Sequence, residues 1–231
     1  MESWSFIRAG GLAGLLLAAS AASGWGAQTE SVPNDPEAND PEAILRRADL
    51  ALGGVETLRT EFIQRVENPV LEKTTVGSGV LAYKAPDRFR IAYSDPAGDL
   101  VVNDGTHVWI YLPSTQPGQV IRQLATHSGV RNPLMYLRDL RGGYAVRYAG
   151  IEAVAGRAAD HIVLAPLDRG APFTRIEAWV ERASGLLRQV RTEADDGVRT
   201  TYTFRTLERD AALDASLFQF RVPGGAEVFD Q

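Results

Sequence analysis

Apolar and polar residues alternate with a period of two over most of the chain, which is the period of β-strands. In residues 88–93, Phe89, Ile91 and Tyr93 alternate with two arginines and an alanine, so the aromatic and aliphatic face is expected to point inward. Such segments recur at intervals of roughly 8–12 residues, separated by Gly, Pro, Asn and Asp, and we count about ten or eleven of them. This spacing predicts a mainly β fold, either an antiparallel barrel or a strongly curved sheet.

One predicted strand, at residues 106–112, is apolar on both faces. Its two alternating sets are Val108, Ile110 and Leu112 on one face and His107, Trp109 and Tyr111 on the other. An antiparallel sheet in water usually needs only one apolar face, the one that packs on the core. The alternation does not decide which set points inward, and the second face raises the question of what covers it.

Two short helices are predicted, one before the strands and one among them. Asp40-Pro41 supplies a capping aspartate and a first-turn proline, apolar residues follow at helical spacing, and Gly53-Gly54 ends the helix. Asn132-Pro133 repeats the capping pattern before Leu134 and Leu137, and a glycine pair at 142–143 follows. The sequence therefore predicts an amphipathic helix at residues 132–140 in the middle of a β chain.

The first part of the chain has the layout of a secretory signal peptide, with Arg8, an apolar run at 11–22 and then small residues. We predict a signal peptide at 1–27, cleaved between residues 21 and 27, and a polar, flexible leader at 28–40. A membrane anchor would need about 20 apolar residues, more than this run provides. The rest, residues 41–231, is expected to form a single domain.

The chain contains no cysteine, which excludes disulfides, thiolate metal sites, a cysteine nucleophile and lipid attachment through an N-terminal cysteine. The mature protein is therefore expected to be soluble, and we expect a monomer. Its net charge of −5, without basic clusters, makes nucleic acid an unfavourable partner.

Residues typical of catalysis form no recognisable constellation. His107, His127 and His161 lie far apart in the sequence without metal-ligand spacing, and an acidic group at 193–196 falls in a predicted turn. The segment VGSGV at 76–80 lacks the spacing of a nucleophile elbow, and we expect a hairpin turn there. We predict that the protein is not an enzyme and has no metal and no cofactor.

Five segments together resemble a known family. They are LRTEFIQRV (58–66), GSGVLAYKAPDRFRIAYSDP (77–96), LVVNDGTHVWIYLP (100–113), NPLMYL (132–137) and LDASLFQFRVPGGAEVFDQ (213–231). In this order and spacing the chain resembles the LolA family of outer-membrane lipoprotein carriers, over about residues 41–231.

The resemblance implies an incomplete antiparallel β-barrel of about 11 strands, closed by a helical lid over a cavity for acyl chains. The residues that it assigns to cavity and lid are Phe62, Phe89, Ile91, Tyr93, Trp109, Tyr111, Leu134, Met135 and Leu137. The family often has an arginine before the proline of the KAP stretch, where it holds the lid shut, but this chain has Ala85. Lys84, Arg88 and Arg90 are the candidates for that latch.

The resemblance also implies a function, that of a periplasmic chaperone carrying lipoproteins from the inner to the outer membrane. Its partners would be acylated lipoproteins as cargo, an inner-membrane ATP-binding-cassette complex that loads it, and an outer-membrane lipoprotein receptor. The alternative is a periplasmic lipid-binding or sensor module of the same fold.

Overall fold

The computed structural model describes residues 39–138, 143–168 and 170–231. The predicted signal peptide and most of the leader lie outside these residues. The described part contains one α-helix, α1 (Pro41–Gly53), and two 3-10 helices, Pro133–Met135 and Ala215–Phe218. Its strands are β1 (Thr57–Asn68), β2 (Lys73–Lys84), β3 (Arg88–Asp95), β4 (Ala97–Asn103), β5 (His107–Tyr111), β6 (Gln119–Leu124), β7 (Tyr144–Val154), β8 (Arg157–Pro166), β9 (Arg175–Glu181), β10 (Leu187–Glu193), β11 (Arg199–Arg209) and β12 (Glu227–Asp230).

The strands of the described residues form one sheet of 12 strands in the order β12-β6-β5-β4-β3-β2-β1-β11-β10-β9-β8-β7. All neighbours are antiparallel except β12 and β6, which are parallel. The sheet is open, since its ends are β12 and β7, which do not neighbour each other in that order. The prediction of a mainly β, incomplete barrel is confirmed.

Helix α1 lies against the inner face of the curved sheet. Its start follows the predicted chemistry, because the Asp40 carboxylate accepts a hydrogen bond from the Glu42 N–H at 3.0 Å. Ile44 and Ala48, one turn apart, are fully buried in the same apolar cluster as the inner faces of the strands. A buried carboxylate on β8, Asp160, accepts a hydrogen bond from Arg47 and ties the helix to that strand.

The predicted helix at 132–140 is wrong in type over the part that the structure describes. A 3-10 helix at Pro133–Met135 is followed by a turn through Arg138, with hydrogen bonds spanning three residues, and residues 139–140 are outside the described part. Three residues per turn place Leu134 and Leu137 on one face, so both can be buried by the shorter element.

The segment VGSGV is not a turn but the middle of β2. Gly79 lies so close to β3 that a Cβ atom added to it would be 2.2 Å from the Ala92 carbonyl oxygen. A register shift between β2 and β3 falls at the same place. The glycines there permit close approach of two backbones rather than chain reversal.

The C-terminal segment, residues 210–231, reaches the edge of the sheet through its last strand. Residues 218–221 begin at the end of the second 3-10 helix and continue without a strand. The chain then adds β12 to the edge of β6, so that Glu227 lies beside Gln119 in the parallel register. The segment 211–226 leads from the end of β11 to that edge.

Candidate functional site

One continuous cluster of buried apolar side chains fills the inside of the curved sheet. It contains residues from β1 to β5, from β8 to β11, from α1 and from the 3-10 helix at 133–135. Of the predicted site residues, Phe62, Phe89, Ile91, Leu134 and Leu137 belong to this interior cluster, and Tyr93 and Met135 pack against it half-buried. The structure therefore brings together all of the predicted cavity and lid residues except two.

The exceptions are Trp109 and Tyr111, which lie on the opposite face of β5. Val108, fully buried, and Ile110 are the β5 residues that join the interior cluster. The Trp109 ring instead stacks on Phe220, with 5.2 Å between ring centroids and 20° between planes. The C-terminal segment thus covers the second apolar face of β5, and the placement of Trp109 and Tyr111 in the cavity was wrong.

Further contacts hold Trp109 on that outer face. Its indole N–H donates to the Asp104 carboxylate at 2.8 Å, and the Arg122 guanidinium lies 5.6 Å from the ring centroid. The phenol ring of Tyr111 also contacts Phe220, at 6.4 Å between centroids. This set of contacts attaches the C-terminal segment to the sheet rather than forming part of its interior.

Residues 132–138, which we call the lid segment, occupy part of the interior. Leu134 and Leu137 are 1% and 2% exposed. Tyr136 meets Phe173 edge to face at 5.6 Å, and burial raises the pKa of its phenol to about 12. Because these side chains pack into the cluster, the space between the sheet and the lid segment is filled by the protein itself.

A small polar group lies within this apolar interior. The Gln64 side-chain N–H donates to the Tyr202 hydroxyl at 2.7 Å, and the Tyr93 hydroxyl donates to the Gln64 oxygen at 3.0 Å. Burial raises the pKa of Tyr93 and holds that of Tyr202 well above its ordinary value.

Sequence reasoning missed Gln64 and Tyr202. The period-two pattern of β1 and β11 could have placed both side chains on an inner face. Their mutual contact depends on the pairing of β1 with β11, which are far apart in the chain.

The three predicted latch residues have different surroundings. Arg90 reaches toward the C-terminal segment, where its guanidinium donates to the Leu217 carbonyl at 3.4 Å. Arg88 is exposed beside Gly105, and Lys84 is half-buried at the end of β2. A contact between lid segment and sheet comes instead from Arg138, whose guanidinium donates to the Tyr83 hydroxyl at 3.5 Å.

A cavity of about 440 Å³ opens where the lid segment meets the ends of β2, β3 and β4. We call it the mouth cavity. Its apolar lining includes Phe89 and Met135, and its polar lining includes Arg131, Asn132 and Arg138. Since Phe89 also belongs to the interior cluster, the mouth cavity and the interior share a wall.

A second polar group lies on the outer face of β7, β8 and β9. Both ring nitrogens of His161 lie 2.9 Å from carboxylate oxygens, one from Glu152 and one from Glu177. The imidazole also stacks on Trp179 at 4.2 Å. Both ring nitrogens therefore have hydrogen-bond partners within the sheet, which is typical of a histidine with a structural role. Nowhere in 39–138, 143–168 and 170–231 do three or more His, Asp or Glu side chains converge as a metal site would require.

Comparison with known proteins identifies the family. The protein-family model described as outer membrane lipoprotein carrier protein LolA matches residues 53–221, most of the chain. The chain belongs to the LolA family. A LolA relative named outer-membrane lipoprotein carrier protein, from Haemophilus influenzae strain PittEE, is 29% identical over 182 residues, 79% of this chain and 84% of the relative. One of the same name from Alkalilimnicola ehrlichii is 30% identical over 194 residues, 82% of this chain and 86% of the relative.

Solved structures support the LolA-like fold. An uncharacterized conserved protein from Thermus thermophilus superposes with a TM-score of 0.52 at 17% identity, covering 82% of this chain and 98% of that one. MucB superposes with the same TM-score of 0.52 at 20% identity, covering 79% of this chain and 63% of MucB. Within the part of the chain that the structure describes, no helix is long and apolar enough to cross a membrane.

Proposed function

We propose that this LolA-family protein is a periplasmic carrier that shields lipoprotein acyl chains inside its curved sheet, between the inner and the outer membrane. The observation that carries the proposal is the continuous apolar interior over which the lid segment packs Leu134 and Leu137. The lid segment is short and is held mainly by side-chain packing. Another apolar group can therefore take its place in the interior.

The energetics of acyl chains explain why a carrier would keep its interior filled. Burying a methylene contributes about 0.8 kcal/mol, so a chain of about 15 methylenes contributes on the order of 12 kcal/mol. A permanently open cavity would retain this whole contribution and would hold its cargo too tightly to release it. When cargo must displace Leu134, Met135 and Leu137, the lost packing offsets part of that gain and leaves an affinity that permits release.

Methionine suits such a position because its flexible, polarizable side chain repacks around irregular partners. Met135 packs against the interior cluster and also lines the mouth cavity. Met135 would therefore contact an acyl chain at the entrance, and in the empty protein it packs against the interior cluster. In this proposal the protein acts as a monomer, without catalysis and without a metal or nucleotide of its own.

The proposed partners follow from the names of the relatives and the resemblance. Outer-membrane lipoprotein carriers are named for their lipoprotein cargo, and we propose acylated lipoproteins as cargo here as well. An inner-membrane ATP-binding-cassette complex would load the carrier, and an outer-membrane lipoprotein receptor would accept the cargo.

Mass spectrometry of the molecules that co-purify with the protein from a bacterial periplasm tests the proposal. Acylated proteins should be recovered with the unaltered chain. Phe89→Glu, which puts a charge on the wall shared by the mouth cavity and the interior, should lose them, whereas Leu50→Glu, at a 76% exposed position of α1, should retain them. Recovery of free lipids alone would support the lipid-binding module instead, and recovery of neither would overturn the proposal.

A further inference from the structure

The side chain of Asn132 has a buried donor without an acceptor among the residues that the structure describes. Asn132 is 5% exposed, and its Oδ1 accepts the Leu134 N–H at 3.1 Å, which fixes the orientation of the amide. Its Nδ2 is buried, and among the described residues it has no hydrogen-bond partner. Native proteins keep few such groups, and each one calls for an explanation.

Asn132 also lines the mouth cavity, whose volume of about 440 Å³ falls in the range of small-molecule sites. The charged residues that line the same cavity are Arg131, Arg138 and Asp87. Both arginines are donors only, as is the Asn132 amide nitrogen. The Asn132 amide nitrogen is therefore a donor for a ligand that brings an oxygen acceptor into this cavity.

The other lining of the cavity is apolar and leads to the interior. Phe89 belongs to both the cavity wall and the interior cluster, and Met135 lines the cavity while packing against that cluster. A ligand with an oxygen acceptor next to a hydrocarbon chain would match both parts of this lining. A pure hydrocarbon would leave the Asn132 donor unpaired.

We propose that Asn132 binds a carbonyl oxygen of the linkage that joins an acyl chain to its carrier molecule, an ester or an amide, while the chain itself enters the interior. This inference rests on the proposed function and adds a polar position to it. The ligand class is an acyl ester or acyl amide. A free fatty acid shares the oxygen-acceptor chemistry but presents a carboxylate, which the two arginines would attract.

Competition binding with three probes separates these sources. The probes are the glycerol monoester of a sixteen-carbon acid, the corresponding glycerol hexadecyl ether, which has no carbonyl, and palmitate, each displacing a fluorescent fatty acid from the purified chain. The unaltered chain should bind the ester about fivefold more tightly than the ether, the effect of one hydrogen bond.

Asn132→Asp isolates the donor. Aspartate keeps the oxygen that accepts the Leu134 N–H but has no N–H of its own, so the affinity ratio of ester to ether should fall to about one. Asn68→Asp is the matched control, because Asn68, at the end of β1 and outside the cavity lining, likewise accepts a backbone N–H, that of Leu71 at 2.9 Å. It should leave the ratio unchanged. If Asn132→Asp does not fold, Asn132→Ala removes the amide donor together with the accepting oxygen and should lower the ratio to about one.

Each outcome bears on a separate claim. Equal binding of ester and ether by the unaltered chain would overturn the role of Asn132 while leaving the acyl carrier intact. An unchanged ratio in both Asn132 variants would do the same. Weakening of palmitate alone in Asn132→Asp would reassign the position to a free carboxylate. Failure of all three probes to bind would contradict the proposed function itself.

Discussion

Leu134→Ala should make the free protein less stable and yet bind acyl chains more tightly. Leu134 is 1% exposed in the interior cluster, and truncating such a leucine costs about 2–5 kcal/mol, depending on how far the site collapses. In the proposed loaded state residue 134 is displaced from the cluster, so the truncated side chain no longer affects that state. If about 2 kcal/mol is lost from the closed state alone, apparent affinity rises about 25-fold, at 1.4 kcal/mol per factor of ten.

Two measurements on the same protein check this pair of effects. Urea unfolding followed by circular dichroism gives the free energy of unfolding, and displacement of a fluorescent fatty acid gives the affinity. Leu164→Ala is the matched control, because Leu164 is equally buried in the cluster but belongs to β8 in the wall of the sheet. It should lose comparable stability without gaining affinity.

The signs of the two changes decide the matter. If Leu134→Ala lost stability and also bound the probe more weakly, the side chain would be part of the binding surface in the loaded state. If Leu164→Ala gained affinity to the same extent, general loosening of the fold, and not displacement of the lid segment, would explain the effect. Either result would refute the reasoning.

Three further predictions follow from other parts of the structure. Burial raises the pKa of Tyr136 from 10.0 to about 12, so the stability that this residue contributes is present below pH 10 and is lost as the pH rises toward 12. In Tyr136→Phe the free energy of unfolding should fall less steeply over this pH range. Gly79→Ala should cost about 1–3 kcal/mol or more by overpacking, because its Cβ would be 2.2 Å from a backbone oxygen, whereas Gly53→Ala, with open space around it, should change unfolding free energy little. Trp109→Ala should lower stability by about 2 kcal/mol but leave fatty-acid affinity unchanged, since the ring packs under the C-terminal segment.

The local patterns of the sequence predicted those features that depend on neighbouring residues. The Asp40 cap and the Gly53-Gly54 pair are signals confined to a few residues each, and α1 begins and ends where they predict. The alternation of Phe89, Ile91 and Tyr93 directed these side chains to the inner face, where the structure has the first two buried and the third half-buried. For this strand the alternation is sufficient to predict the buried face, because the other face carries arginines and only one face is apolar.

Features that depend on distant parts of the chain were not predicted. Both faces of β5 are apolar, and only the position of Phe220, more than a hundred residues later, shows which face the C-terminal segment covers. The residues of β6 show no simple alternation of polar and apolar side chains, and the strand is held in place by its pairing with β5 and β12. The parallel pairing of β12 with β6 has no local signal at all.

The lid segment was predicted in position but not in type. Its cap at Asn132 and its apolar spacing were visible in the sequence, and the structure has both. In a segment this short, the helix propensities of the residues do not distinguish an α-helix from a 3-10 helix. Tertiary packing selects the 3-10 form, which buries Leu134 and Leu137 together.

Hydrogen exchange of the lid segment tests the central claim most directly, which is that acyl chains enter the interior by displacing Leu134, Met135 and Leu137. Backbone amides of this segment should be measured in the empty protein and in protein shown by mass spectrometry to be loaded with an acylated lipoprotein, with the amides of β8 as an internal reference. The account predicts faster exchange at 134–138 on loading and no acceleration in β8. Unchanged exchange of the lid segment in loaded protein would contradict it.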